Sequence, residues 1–254
     1  MIIDEPRREQ LPELRSLWKE AFGDTDEFFS LFERTAFKKT RCRCITVGTE
    51  TVAALYWFDC IYRDRPIAYL YAVATSKAHR GQGLCRALTE DTHRQLKSLG
   101  YAGTILVPAG EGLFAFYERL GYRICSYVDE FSCPASAQKA ELRQISTDEY
   151  AKLRRKLLPV GGVIQENENL RFLQATAKLY AGEKFVFAGR CEGGILYASE
   201  LLGDISAADE IVSALGQNEG RFRTVGNSRA FAMYHPLDGD ASLPPPSYFG
   251  LAFD

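Results

Sequence analysis

One stretch constrains the fold more than any other. Residues Ile67-Ala68-Tyr69-Leu70-Tyr71-Ala72-Val73-Ala74 form an apolar and aromatic run, as expected for a central strand covered on both faces. Arg80-Gly81-Gln82-Gly83-Leu84-Cys85 follows almost at once. Beyond it Leu84, Ala87, Leu88, Leu96 and Leu99 recur at helical spacing and stop at Gly100, a natural residue just past a helix. A strand that turns through glycines into a helix is an α/β unit with a built-in anion site. Glycines let the backbone approach a phosphate closely. The first amides of the helix have no partner inside it, and the helix dipole adds partial positive charge. Arg80 contributes a forked cationic donor, and Gln82 a further amide.

Two common phosphate patterns do not fit. The dinucleotide fingerprint G-x-G-x-x-G needs a third glycine where Arg86 stands, and no Gly-Lys-Ser/Thr completes a nucleotide P-loop. A diphosphate site of another kind fits better.

The flanking pattern alternates strands and helices. Ile2-Ile3 reads as a short strand. Leu11, Leu14, Leu17, Trp18, Ala21 and Phe22 read as a helix with Pro12 in its first turn. Asp24 with Glu27 resembles a capping box for a second helix bearing Phe28, Leu31 and Phe32. Residues 43–47 and 51–58 form a hairpin about Gly48, and residues 63–66 turn the chain into the central run. After the glycine loop and its helix come a strand at 104–108, a short helix with Phe116 and Tyr117 ending at Gly121, and a strand at 123–128. Residues 132–138 suit a boundary. The remainder has its own pattern: a strand at 142–145, a helix capped by Ser146 and Glu149, and a helix through Leu170, Leu173, Ala177 and Tyr180. Strands follow at 185–188 and 195–198, a helix at 211–215, and strands at 222–225 and 230–234. Pro244-Pro245-Pro246 precedes an aromatic tail. The second half echoes the element order of the first but has no Arg-x-x-Gly-x-Gly equivalent.

Composition excludes several function classes. A net charge of -2 gives no basic excess for nucleic acid or an anionic membrane. No apolar run approaches spanning length, and the N-terminus lacks the basic and apolar regions of a secretory signal. Seven scattered cysteines fit reduced thiols and a cytoplasmic setting. Cys42 and Cys44 share a strand face and are expected to be buried thiols. The three histidines, His79, His93 and His235, lie far apart, so no metal site is expected.

The stretch from Leu70 to Cys85, with Arg80 and Gly83 at its key positions, resembles motif A of the GCN5-related N-acetyltransferase (GNAT) superfamily. Cys85 replaces that motif's final small residue. Phe116-Tyr117-Glu118-Arg119-Leu120-Gly121-Tyr122 resembles the family's Phe-Tyr-x-x-x-Gly-Phe/Tyr ending, with one helix and one strand between the two motifs. Together the motifs cover roughly the first half of the chain, and the pair is far more specific than either alone. The resemblance implies an α/β (α+β) GNAT fold, with a mixed central sheet flanked by helices. Residues 1–136 would be the acetyl-CoA-binding catalytic domain. Residues 137–254 would be a smaller α/β lobe, a degenerate copy that shapes the acceptor site without binding CoA.

The resemblance also implies roles. The amides and side chains of Arg80, Gly81, Gln82, Gly83, Leu84, Cys85 and Arg86 would hold the CoA pyrophosphate. The backbone at Val73 and Thr75 would pair with the pantetheine arm. Tyr117 would protonate the leaving thiolate, with no metal and no covalent intermediate. The expected reaction transfers acetyl from acetyl-CoA to a primary amine of a small molecule, peptide or protein. The alternatives are a longer acyl-CoA as donor or a non-catalytic acyl-CoA sensor. Tyr56, Trp57, Tyr69 and Tyr71 are candidates for an acceptor pocket or for core. The general base is open between Glu111, a water chain and the C-terminal carboxylate of Asp254. That carboxylate would reach the site as in two-lobed relatives of the enhanced-intracellular-survival type. Glu118 and His79 are expected to be solvated, and Cys85 to pack at the helix start.

Overall fold

Alternating apolar runs joined by tight turns pair with their sequence neighbours, and the first half of the chain follows that rule. The computed structural model describes residues 1–237 and 244–253. Its first half contains β1 (Ile2–Asp4), α1 (Leu11–Phe22), α2 (Asp26–Thr35), β2 (Cys42–Val47), β3 (Glu50–Tyr62), β4 (Arg65–Thr75), α3 (Leu84–Ser98), β5 (Gly103–Leu106), α4 (Glu111–Glu118) and β6 (Arg123–Pro134). The second half contains β7 (Arg143–Gln144), α5 (Thr147–Leu157), β8 (Ile164–Gln165), α6 (Glu168–Thr176), β9 (Lys178–Ala181), β10 (Phe185–Glu192), β11 (Ile195–Gly203), α7 (Ala208–Ala214), β12 (Glu219–Val225) and β13 (Arg229–Pro236).

Among the described residues these strands form one mixed sheet, ordered β1-β2-β3-β4-β5-β13-β6-β12-β11-β10-β9-β7, with β8 paired to β3. The parallel pairs are β4 with β5 and β11 with β12. Each half therefore runs through a short strand, two helices, three antiparallel strands, a helix and a parallel strand. The last strands cross over: β13 from the second half lies between β5 and β6, and β6 from the first half lies beside β12. Helices α1, α2, α5 and α6 cover one face of the sheet. On the other face α3 and α4 cover the first half, and α7 covers the second.

Several local expectations shift. Thr25, not Asp24, caps α2, accepting from the Phe28 amide, and Phe29 rather than Phe28 is its most buried ring with Phe32. Asp24 instead accepts the Trp18 indole N–H at 2.7 Å. The helix expected through Tyr180 ends at Thr176, because Lys178–Ala181 is drawn into the sheet beside β10. The segment expected as a boundary starts inside β6, which stays paired with β12 to Pro134. Leu99 is 55% exposed and sits past the end of the apolar stripe of α3. Cys42 and Cys44 are buried, as expected. Among the described residues no helix is long and apolar enough to cross a membrane.

Two buried polar groups tie the layers together. Arg154 of α5 holds Glu200 of β11 through both ends of its fork, at 2.6 and 2.9 Å. Tyr248 donates to the same carboxylate at 3.0 Å. Burial alone would pull the Arg154 guanidinium down, but Glu200 beside it more than offsets this. Under α3, His93, Tyr122 and Thr104 share a closed hydrogen-bonded cluster, with 2.8 Å between His93 Nε2 and Tyr122 Oη. The ring of His235 stacks on His93 at 4.3 Å. Burial first, and His235 second, hold the His93 pKa down to about 3.

Two predictions follow from these clusters. Glu200→Leu leaves the Arg154 charge buried and unpaired, and should cost about 3–5 kcal/mol in urea denaturation. The double variant Arg154→Leu/Glu200→Leu should recover most of that loss; equal losses in the two variants would show that the charge is not the cause. His93 stays neutral in the folded chain while its unfolded counterpart takes up a proton below about pH 6.5. Its contribution to stability is therefore full above that pH and declines as pH falls toward 3, by at most about 1.4 kcal/mol per unit. The unfolding free energy of His93→Gln should fall less steeply between pH 6 and pH 4 than that of the parent, and the His93 ring resonances should not titrate between pH 8 and pH 5.

Candidate active site

The site begins where two parallel strands part. β4 and β5 pair only through Ile67↔Gly103, Ala68↔Thr104 and Tyr69↔Ile105. β4 continues to Thr75, and on its other edge the register with β3 slips between Ala54 and Tyr56. Ala72 absorbs the slip with φ of 48°, a left-handed conformation that costs a non-glycine residue about 1 kcal/mol. The bulge turns the end of β4 away from β5. Backbone from Ala72 to Thr75 thus has no β5 partner and faces an opening.

The glycine loop stands at the end of that opening. Gly81 and Gly83 both have φ of 76°, and a Cβ added at either would meet nothing within 4 Å. Each supplies a left-handed turn, and the space in front of each is open. The first intrahelical bond of α3 runs from the Ala87 amide to the Gly83 carbonyl. Among the described residues the amides of 81–86 have no acceptor, and no side chain caps the helix. Arg80 is anchored by its Nε to the Thr75 carbonyl at 3.2 Å. The corresponding turn in the second half is closed: Asp204 accepts from both the amide and the hydroxyl of Ser206.

A cleft of about 1100 Å³ connects these features. Val73, Thr75, Arg80, Cys85 and Tyr117 all line it. Gly81, Gln82 and Gly83 are exposed in the chain between two lining residues, Arg80 and Cys85. The Leu84 side chain turns into the core under α3, leaving only its amide to the loop. Arg86 points elsewhere, to Glu90 and the Arg119 carbonyl. Of the aromatic candidates, Tyr69 and Tyr71 line the cleft. Tyr56 is buried behind them against Trp18 and Phe37, and Trp57 packs on the opposite face of the sheet. Glu111 lines the cleft, whereas Glu118 is exposed outside it. His79 is half-buried and bonded to Ser76 at 2.8 Å. Asp254 lies outside the described residues.

The chemistry of the lining groups is set by burial. Burial, with a smaller push from Cys85, raises the Tyr117 phenol well above its ordinary value, so it keeps its proton at neutral pH. Burial also raises the Cys85 thiol. That outweighs the lowering a helix N-terminus would give, and Cys85 packs rather than reacts. Ala252–Phe253 of the tail closes the cleft from the second half, in keeping with the expected approach of the chain terminus. Ser228–Phe231, at the start of β13, closes it too, and nothing in the local sequence marks that segment. Trp18 and Phe28 close it from α1 and α2.

Comparison with known proteins agrees with this geometry. The model of a family described as an acetyltransferase (GNAT) domain matches residues 3–125. A GCN5-related N-acetyltransferase from Kribbella flavida superimposes with a TM-score of 0.73 at 17% identity, over 95% of this chain and 72% of its own. One from Anabaena variabilis gives 0.72 at 14%, over 93% and 72%. Eis1 from Mycobacterium abscessus gives 0.69 at 12%, over 95% and 75%. At such identities the likeness is one of fold, and it extends through both halves. No curated protein matches the sequence. The parted strands, the open glycine loop and Tyr117 all fall within the matched segment, and residues 3–125 of the chain form an acetyltransferase (GNAT) domain.

Proposed function

We propose that the protein transfers an acetyl group from acetyl-CoA directly to a primary amine. The observation that carries this reading is one cleft that runs from the edge of β4 left open by β5, past Arg80 and Cys85 at the two ends of the open glycine loop, to a protonated phenol at Tyr117. The amides and Arg80 take the pyrophosphate, using helix dipole and charge together. The pantetheine arm lies along Val73 and Thr75 as an added strand. This brings the thioester to the bulge, where a backbone N–H near Val73 stabilises the oxyanion.

The amine loses a proton, its nitrogen attacks the thioester carbon, and a tetrahedral adduct forms. On collapse the C–S bond breaks, Tyr117 gives its proton to the thiolate, and the proton that leaves the adduct nitrogen restores the phenol through solvent. Residues 1–136 carry these steps. Residues 137–254 contribute walls to the acceptor end, and their own glycine turn, closed by Asp204, is not a second CoA site.

Two measurements test this function. Arg80→Ala removes a charge-assisted contact and should weaken acetyl-CoA binding roughly tenfold by calorimetry; the parent chain failing to bind acetyl-CoA at all would end the reading. Tyr117→Phe should lower kcat by about a hundredfold with little change in KM for acetyl-CoA. An unchanged kcat would remove Tyr117 from the proton path.

A further inference from the structure

We propose that the acceptor is a small arylalkylamine: one primary amine on a short chain from an aromatic ring, carrying a single positive charge in solution. The inference rests on the acyltransferase reading above and specifies its second substrate. Past the bulge, aromatic rings line the cleft, among them Trp18 of α1, Phe28 of α2, Tyr69 and Tyr71 of β4, Phe231 of β13, and Phe253 of the tail. These six converge from five separate elements. Trp18 lies 5.6 Å from Tyr71 and 6.5 Å from Phe28, and Phe253 lies 5.9 and 6.0 Å from Tyr69 and Tyr71. A flat ring entering this wall gains edge and offset contacts with several aromatic partners.

The charges of the described lining count against the polycationic alternatives. Among the described residues the carboxylates lining the cleft are Asp24 and Glu111, and the cations are Arg80 and Arg229. Asp24 already accepts the Trp18 indole N–H, and Glu111 is exposed to solvent in the first turn of α4. Arg229 sits over the Phe231 ring at 5.3 Å and bridges to Glu130 outside the lining. Among the described residues the lining charges thus balance, two of each sign. A polyamine or aminoglycoside would bring several ammonium groups against rings, with only Asp24 and Glu111 among the described lining residues to replace their water. An arylalkylamine brings one ammonium, which ring faces tolerate and which must lose its proton before attack in any case. The reaction balances as acetyl-CoA plus amine giving N-acetyl amine plus CoA thiol: the N–C bond forms, the C–S bond breaks, and the surplus ammonium proton leaves to solvent.

The test uses the full chain with acetyl-CoA and follows CoA thiol release for phenethylamine, tryptamine, spermidine, kanamycin and a short peptide with a free N-terminus. The two arylalkylamines should show kcat/KM at least about tenfold above the rest. Phe28→Leu, which keeps apolar volume but removes a ring, should raise KM for phenethylamine several-fold while leaving KM for acetyl-CoA unchanged. As a readout independent of turnover, phenethylamine should change the emission of Trp18 in a Trp57→Phe chain, where Trp18 is the remaining tryptophan. Preference for spermidine, kanamycin or the peptide overturns the proposal and leaves the acyltransferase reading standing, as does acetyl-CoA binding with no arylalkylamine turnover. Absence of acetyl-CoA binding overturns both.

Discussion

The end of the β4–β5 ladder at Tyr69↔Ile105 is the constraint on which the site depends. Two parallel strands of a twisted sheet ordinarily stay in register until one of them stops. Here β4 runs on to Thr75, and the bulge at Ala72 swings that extension aside at the cost of one strained residue. The gain is a short length of strand backbone that is paired to β3 on one edge and open on the edge that faced β5. It lies in line with helix α3, whose first amides are unpaired. Neither feature would bind a CoA-like molecule alone. The first would offer a strand edge and the second a generic anion site. Together they offer what the proposed donor needs: an anion site for its diphosphate and a strand edge for its amide-bearing arm.

The two halves repeat one order of elements but differ in what they do with it. In the first half the turn after the third antiparallel strand is left open by Gly81 and Gly83. In the second, Gly203 gives a similar reversal, but the Lys184 carbonyl lies against it and Asp204 uses its own carboxylate as the anion. One copy keeps its anion site open and the other fills it internally. The exchange of final strands then makes the halves interdependent. β13 contributes a wall to the cleft of the first half because it pairs with β5, and β6 gives the second half a partner for β12.

Much of this was legible in the sequence, for a physical reason. Helices α1, α3 and α5 carry clear apolar stripes with recognisable ends, and the strands from β2 to β4 are long apolar runs separated by turn residues. The glycine loop was legible because only backbone freedom and missing helical bonds explain Arg80–Cys85. What failed depended on distant partners. Lys178–Ala181 is a strand only because β10 lies beside it. Asp24 looked like a helix cap because nothing local reveals that the Trp18 indole needs an acceptor. Ile164–Gln165 is too short to carry a period at all. Ser228–Phe231 reached the cleft through a strand exchange that no local window contains.

The tail shows why the buried charges of the second half matter to the cleft of the first. An ion pair such as Arg154–Glu200 contributes little net stability, since matched apolar residues would pack as well. Apolar residues would not supply direction. Glu200 receives Arg154 and Tyr248, and Gly250 is held so close to both Tyr248 and Glu200 that a side chain there would collide with them. The Phe249 amide is fixed by Ser126 at 2.9 Å, and Gln165 holds the Leu251 carbonyl at 2.7 Å. With each residue from 248 to 251 pinned by a directional contact or a tight fit, Phe253 has little choice but to emerge among Phe58, Tyr69 and Phe172. The aromatic wall of the cleft is therefore completed by a polar network that does not line the cleft. On the proposed function, loosening that network should blur acceptor discrimination before it disturbs donor binding, because the glycine loop and the bulge lie on elements the network does not reach.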